Sequence, residues 1–217
     1  MTVSVLDFNI ERVAIIDDKP DVRQSFSYPV QDLNLTPVLQ TTLMGTLQES
    51  VIRLRSVAEA ALCDFQLRIS KYATFDGAEL VAALYQSMMP AVLCTRFEKS
   101  DVDKIRKYRP SIPCLLNPDE LDEDSLFRGF EICVKEFNHD FTAERRSWRT
   151  LVRVTSVEVH HVHLFVPGWS SREGLRLLRS DIPEPLASKL VEGLRCHARV
   201  NLGATRQEDL YFTNWEA

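Results

Sequence analysis

The 217-residue chain is 45% hydrophobic and 26% charged with a net charge of −5, ordinary proportions for one large globular domain or two small ones. No apolar run approaches the ~18–20 residues that span a bilayer, and Met1–Ile10 lacks the basic and apolar regions of a signal peptide, so a cytoplasmic protein with no membrane partner is expected. Residues 150–217 carry eight basic and eight acidic side chains and the remainder 18 and 23; neither part has the basic surplus that phosphate backbones demand, so no nucleic-acid partner is expected.

In chain order, residues 12–17 read as a buried strand that ends in Asp17-Asp18. Asp21–Leu33 follows with helical spacing (Val22, Phe26, Val30, Leu33), and Pro29 should shorten or kink it. Thr36–Leu39 is a short second strand whose proline argues for an edge, and Leu43–Val57 a helix. The run Ala60–Cys63 stops at Asp64, Phe75–Met89 is helical, and Ala91–Cys94 stops at Thr95. A charged helix begins at Asp101 and closes before Pro110. Ile112–Leu116 is the last strand of this part, ahead of Asn117-Pro118 and a helix from Leu121 to about Phe141. Five strands alternating with helices predict a doubly wound parallel sheet. Five cysteines without a CxxC pair, four of them in apolar segments, read as free buried thiols of a reducing compartment.

Beyond a polar stretch at 141–149 the texture changes. Leu151–Val166 alternates with a period close to two, Pro167-Gly168 turns the chain, and Leu175–Leu178, Cys196–Leu202 and Asp209–Trp215 read as further strands. A single short helix is expected over Pro185–Leu194, with Gly193 near its end. The domain reading is 1–140, a linker at 141–149, and a small β-rich module at 150–217, a partly open barrel or an α+β fold.

In a parallel sheet, strands ending in Asp17-Asp18, Asp64 and Thr95 bring three carboxylates and a hydroxyl to one edge. Mg2+ takes oxygen ligands and is commonly held by one or two carboxylates with phosphate oxygens; a carboxylate can also accept a phosphoryl group. The set Ile15-Ile16-Asp17-Asp18, Leu62-Cys63-Asp64, Asp76-Gly77, Leu93-Cys94-Thr95 and Leu115-Leu116-Asn117-Pro118 resembles the receiver domain of two-component response regulators over about residues 11–137. The resemblance implies a flavodoxin-like (βα)5 fold, Asp64 as phosphoacceptor, Mg2+ on Asp17, Asp18 and Asp64, and Thr95 as switch hydroxyl. It implies a histidine kinase or other phosphodonor as partner, a downstream protein contacting residues 150–217, compatibility with a homodimer, and no enzyme. Asn117 stands where receivers carry a lysine, which favours as alternative a pseudo-receiver adaptor or phosphate sink. Lys19 and Lys71 are the basic residues placed to approach the cleft, and Tyr108 lies near the family's aromatic switch partner.

Other patterns have plainer readings. In a strand His161 and His163 share a face from which His160 points away, and no clear third or fourth zinc ligand accompanies them, so exposed strand histidines are expected. Trp169, Tyr211, Phe212 and Trp215 read as packing of a small module. Arg145, Arg146 and Arg149 read as a solvated linker face.

Overall fold

Strands buried on both faces need no polar alternation, and the chain's short apolar runs form such strands. The structure, a computed structural model, describes residues 3–5, 8–69, 71–96, 99–170 and 172–216. A two-stranded antiparallel hairpin, β1 (Val3–Val5) and β2 (Phe8–Ile10), comes first. There follow β3 (Arg12–Ile16), α1 (Pro20–Asp32), β4 (Thr36–Leu39), α2 (Leu47–Val57), β5 (Ala60–Cys63), α3 (Gly77–Gln86), β6 (Ala91–Cys94), α4 (Lys99–Arg106), β7 (Cys114–Leu116) and α5 (Glu123–Phe137). The sheet β4-β3-β5-β6-β7 is parallel throughout. Counting only its own strands, that is the order 2-1-3-4-5 of the flavodoxin-like fold, as the sequence led one to expect.

Val13–Ile16, Ala60–Cys63 and Ala91–Cys94 are fully buried. Ile15, Leu62, Val92, Phe26, Val30, Phe130 and Val134 form one core beneath α1 and α5. All five cysteines are free and buried. Pro37 sits on edge strand β4, where a missing donor costs nothing in the ladder. Pro29 lies inside α1, which runs on three residues past it to Asp32. The second helix starts later than its leucine spacing suggests: Gly45 takes φ +71°, and Thr46 caps the helix reciprocally with Glu49.

Two units divide the chain: residues Met1–Phe97 with Ser111–Asp140, and Glu98–Pro110 with Phe141–Ala217. The second unit holds β8 (Trp148–Val157), β9 (His161–Phe165), β10 (Gly174–Leu178), β11 (Arg195–Val200) and β12 (Phe212–Glu216). They form an open antiparallel sheet in the order β10-β9-β8-β11-β12. Val152, Val154, Val162, Leu164, Leu175, Leu177, Cys196, Ala198 and Val200 build its core on one face, with Trp169, Phe212 and Trp215 packed against it. The aromatic residues thus serve packing.

Helix α4 is held inside this second unit. Arg106, 5% exposed, donates from Nη1 to the carbonyls of Gln207 at 2.7 Å and Leu210 at 2.9 Å. Arg109 pairs with Asp209 at 2.7 Å. Arg145 is no solvated linker residue: it is 6% exposed, donates to the carbonyls of Arg109 at 2.8 Å and Pro110 at 2.9 Å, and lies over the Tyr211 ring. The helix expected over Pro185–Leu194 does not form. That stretch holds one 3-10 turn, Ala187–Lys189, instead. Gly193 does adopt a positive φ, +84°, outside any helix.

Candidate functional site: an acidic cavity at the carboxyl edge of the parallel sheet

Parallel register brings the ends of β3, β5 and β6 together, and the residue after each strand points into the space beyond the edge. The Asp64 N–H donates to the Ile16 carbonyl at 2.9 Å and the Thr95 N–H to the Leu116 carbonyl at 2.9 Å, so the ladder continues one step past each strand and fixes where those side chains start. A cavity of about 370 Å3 opens there, lined by Asp17, Asp18, Lys19, Asp64, Gln66, Thr95, Arg96 and Pro118 among others. The sequence-predicted Asp17, Asp18, Asp64 and Thr95 thus share one cavity.

Asp17 is 2% exposed. Its Oδ1 accepts from the Lys19 N–H at 2.7 Å, and its carbonyl accepts from the buried guanidinium of Arg23. Burial pushes its carboxyl up to about 7, against the Lys19 N–H bond and with the help of the Asp64 and Asp18 charges. Asp64 is raised too, first by burial; the N–H groups of Gln66 and Phe65 and the Thr95 hydroxyl pull the other way, and Asp18 repels it. The Gln66 N–H reaches Asp64 Oδ2 at 2.7 Å. Thr95, 3% exposed, therefore bonds the carboxylate it was expected to accompany. Burial also raises the neighbouring thiols, Cys94 to about 12 and Cys63 well above the usual range, so both stay protonated and inert.

The loop after Asp64 owes its shape to Gly77. A Cβ there would lie 1.8 Å from the Asp64 carbonyl oxygen, and the Gly77 N–H donates to the Phe65 carbonyl at 2.8 Å. Only glycine lets α3 start so close to the backbone that carries the carboxylate.

Asn117 is not among the residues that line the cavity. Its Oδ1 accepts from the Asp119 N–H at 3.1 Å, capping the 3-10 turn Pro118–Glu120. Lys71 is not among the lining residues, whereas Lys19 is. A second basic lining residue, Arg96, was missed by the sequence reading. It directly follows Thr95 at a strand end, so the same edge logic reaches it. Tyr108 belongs to the second unit.

Three carboxylates around one cavity, two of them raised by burial and mutual repulsion, are a donor set suited to a hard divalent cation such as Mg2+, which takes few protein carboxylates and keeps waters. Among the described residues, no group of three or more His, Cys, Asp and Glu is already drawn together as a metal cluster; Asp17 is instead turned toward its own loop by Lys19. The histidines of β9 do not form a zinc set either. His163 bonds Glu158 at 3.0 Å and His161 stands 3.7 Å from Asp103.

No protein-family model matches the sequence, and no curated protein matches it. Several solved structures are similar in fold to about three-fifths of the chain. A response regulator receiver domain from Clostridium thermocellum shares 10% identity over 59% of this chain and 98% of its own, with a TM-score of 0.44. A CheY-like receiver domain from Methanospirillum hungatei shares 13% over 60% and 98%, TM-score 0.44. The chemotaxis response regulator CheY4 of Vibrio cholerae shares 15% over 57% and 98%, TM-score 0.41. Among the described residues no helix is long and apolar enough to cross a membrane.

Proposed function

We propose that the parallel-sheet unit is a phosphoacceptor of the receiver kind, with Asp64 as the accepting carboxylate. The observation that carries this is the cavity that Asp17, Asp18, Asp64, Thr95 and Arg96 line together. An Asp64 oxygen attacks phosphorus of a histidine-kinase phosphohistidine or a small acyl phosphate. The P–O bond to Asp64 forms as the bond to the donor breaks, and the donor group leaves with the electron pair. Mg2+ held by Asp17, Asp18 and Asp64 would supply charge neutralisation for the transferred oxygens.

The chain's own groups account for the rest. The Gln66 and Phe65 N–H groups and the Thr95 hydroxyl orient the Asp64 carboxylate. Arg96 takes the cationic role that Asn117 leaves open: it lines the cavity, while the Asn117 side chain is engaged as a cap. A guanidinium also offers a phosphoryl group a planar fork of donors. Residues 150–217 act as the output, a protein-interaction module for a downstream partner, built on a sheet rather than on a DNA-reading helix.

A second reading, a pseudo-receiver adaptor, draws on the asparagine at 117 and on Asp17 being turned to the Lys19 N–H. Incubation with acetyl phosphate and Mg2+, followed by intact-mass measurement, separates the two. A gain of one phosphoryl group in the wild type but not in Asp64→Asn supports the phosphoacceptor. No gain in either leaves the adaptor.

A further inference from the structure

One face of the second unit's sheet carries its apolar core; on the other, Asp103 of α4 meets His161 and Arg176 of β9 and β10, while the arginines of β8 and β11 stay exposed. Alternation places Arg149, Leu151 and Arg153 of β8 and Arg195, His197 and Arg199 of β11 on that outer face, and the four arginines are exposed. The register sets Arg149 opposite Arg199, Leu151 opposite His197 and Arg153 opposite Arg195. Like charges directly opposite each other destabilise an antiparallel pair, and here the arrangement occurs twice.

The first row shows what it accepts. Glu216 Oε2 takes hydrogen bonds from Arg149 Nε at 2.8 Å and Nη2 at 2.8 Å, and Arg199 donates to the Ser147 carbonyl at 2.7 Å. The second row has no such answer. Arg153 lies over the Phe165 ring at 5.4 Å, and among the described residues neither Arg153 nor Arg195 has a carboxylate within salt-bridge distance. Leu151, 37% exposed, sits between the two rows.

We propose that this face docks an extended, acidic segment of a partner protein, with a carboxylate seated on Arg153 and Arg195 and an aliphatic side chain over Leu151. The proposal rests on reading residues 150–217 as a protein-interaction module and names the chemistry of its partner. Glu216 already fills the Arg149 row, so the peptide needs one carboxylate, on Arg153 and Arg195, and the residue two positions on then falls over Leu151. A guanidinium pair suits carboxylates because its planar donors can bind both oxygens. Nucleic acid fits less well. The face offers no open stacking platform, since Phe165 lies under Arg153, and the module is charge-balanced rather than basic.

The test uses the full chain and a labelled synthetic acidic peptide with a glutamate two residues from a leucine, followed by fluorescence anisotropy. The comparators are a single-stranded oligonucleotide of equal net charge and phosphatidylglycerol vesicles. The expected result is peptide binding at least about tenfold tighter than either comparator. Arg195→Glu should weaken it about tenfold or more while its melting temperature holds or rises, because the introduced carboxylate would pair with Arg153 across the strands. Arg153→Glu should do the same, and Arg55→Glu, on α2, should change binding less than about twofold.

The proposal is overturned if either comparator binds as tightly as the peptide, or if no peptide binding is found. It is also overturned if Arg55→Glu weakens binding as much as Arg195→Glu, or if both sheet variants lose melting temperature together with binding. A concentration-dependent dimer that Arg195→Glu abolishes would overturn it by assigning the face to a second copy. Because peptide binding is read on unphosphorylated protein, its failure is distinct from failure of the Asp64 mass gain.

Discussion

Replacing Asp17 by Asn should stabilise the metal-free protein at neutral pH. The side chain is 2% exposed and its carboxyl is pushed from 3.8 to about 7, first by burial and then by Asp64 and Asp18. In the unfolded chain it ionises near its ordinary value, so between about pH 4 and 7 the folded state holds a proton that the unfolded state has released. Stability therefore falls as pH rises through that window and levels off above it. At about 1.4 kcal/mol per tenfold change in proton affinity, the penalty at neutral pH is at most about 4 kcal/mol. Asn keeps an acceptor for the Lys19 N–H but loses its charge assistance, which brings the expected gain to about 1–3 kcal/mol. Urea unfolding in chelator, read by exchange of the β3 and β5 amides, should show little difference from wild type near pH 4 and the full gain near pH 7.5. With saturating Mg2+ the gap should narrow, because ligand binding stabilises the wild type. A variant less stable than wild type at neutral pH without divalent ions, or a pH-independent gap, would refute the reasoning.

Gly77→Ala should cost about 1–3 kcal/mol and slow phosphoryl acceptance, since its Cβ would meet the Asp64 carbonyl at 1.8 Å and backbone must move; urea unfolding and initial rates check both. Arg96→Gln should slow acceptance from acetyl phosphate roughly tenfold without weakening Mg2+ binding, as calorimetry and initial rates would show. Arg106→Met should destabilise the second unit by about 2–4 kcal/mol, because the Gln207 and Leu210 carbonyls lose their buried donor. Amide exchange should then speed up in β11 and β12 while β3 and β5 stay protected.

Where burial is continuous, sequence and structure agree. Val13–Ile16, Ala60–Cys63 and Ala91–Cys94 are apolar from end to end because both faces are covered, and each stops at the polar residue that lines the cavity. Capping was legible too: Thr46 and Glu49 have capping-box spacing, but the leucine pattern drew the helix start upstream to Leu43. What stayed hidden depends on distant partners. Arg145 looks like a linker charge until Arg109, Pro110 and Tyr211 enclose it. Helix α4 carries no local sign that Arg106 reaches the loop before β12. The β1–β2 hairpin is too short for an alternation signal. The paired arginines of β8 and β11 emerge only once register is known, because no local spacing aligns Arg153 with Arg195.

The most direct measurement is the mass of the protein after incubation with acetyl phosphate, with and without Mg2+, and the position of any added group by peptide mapping. A single phosphoryl group on Asp64 that requires Mg2+, and is lost in Asp64→Asn, is the result expected of the cavity around Asp17, Asp18 and Thr95. An added group elsewhere, or one that forms equally well in Asp64→Asn, would contradict it.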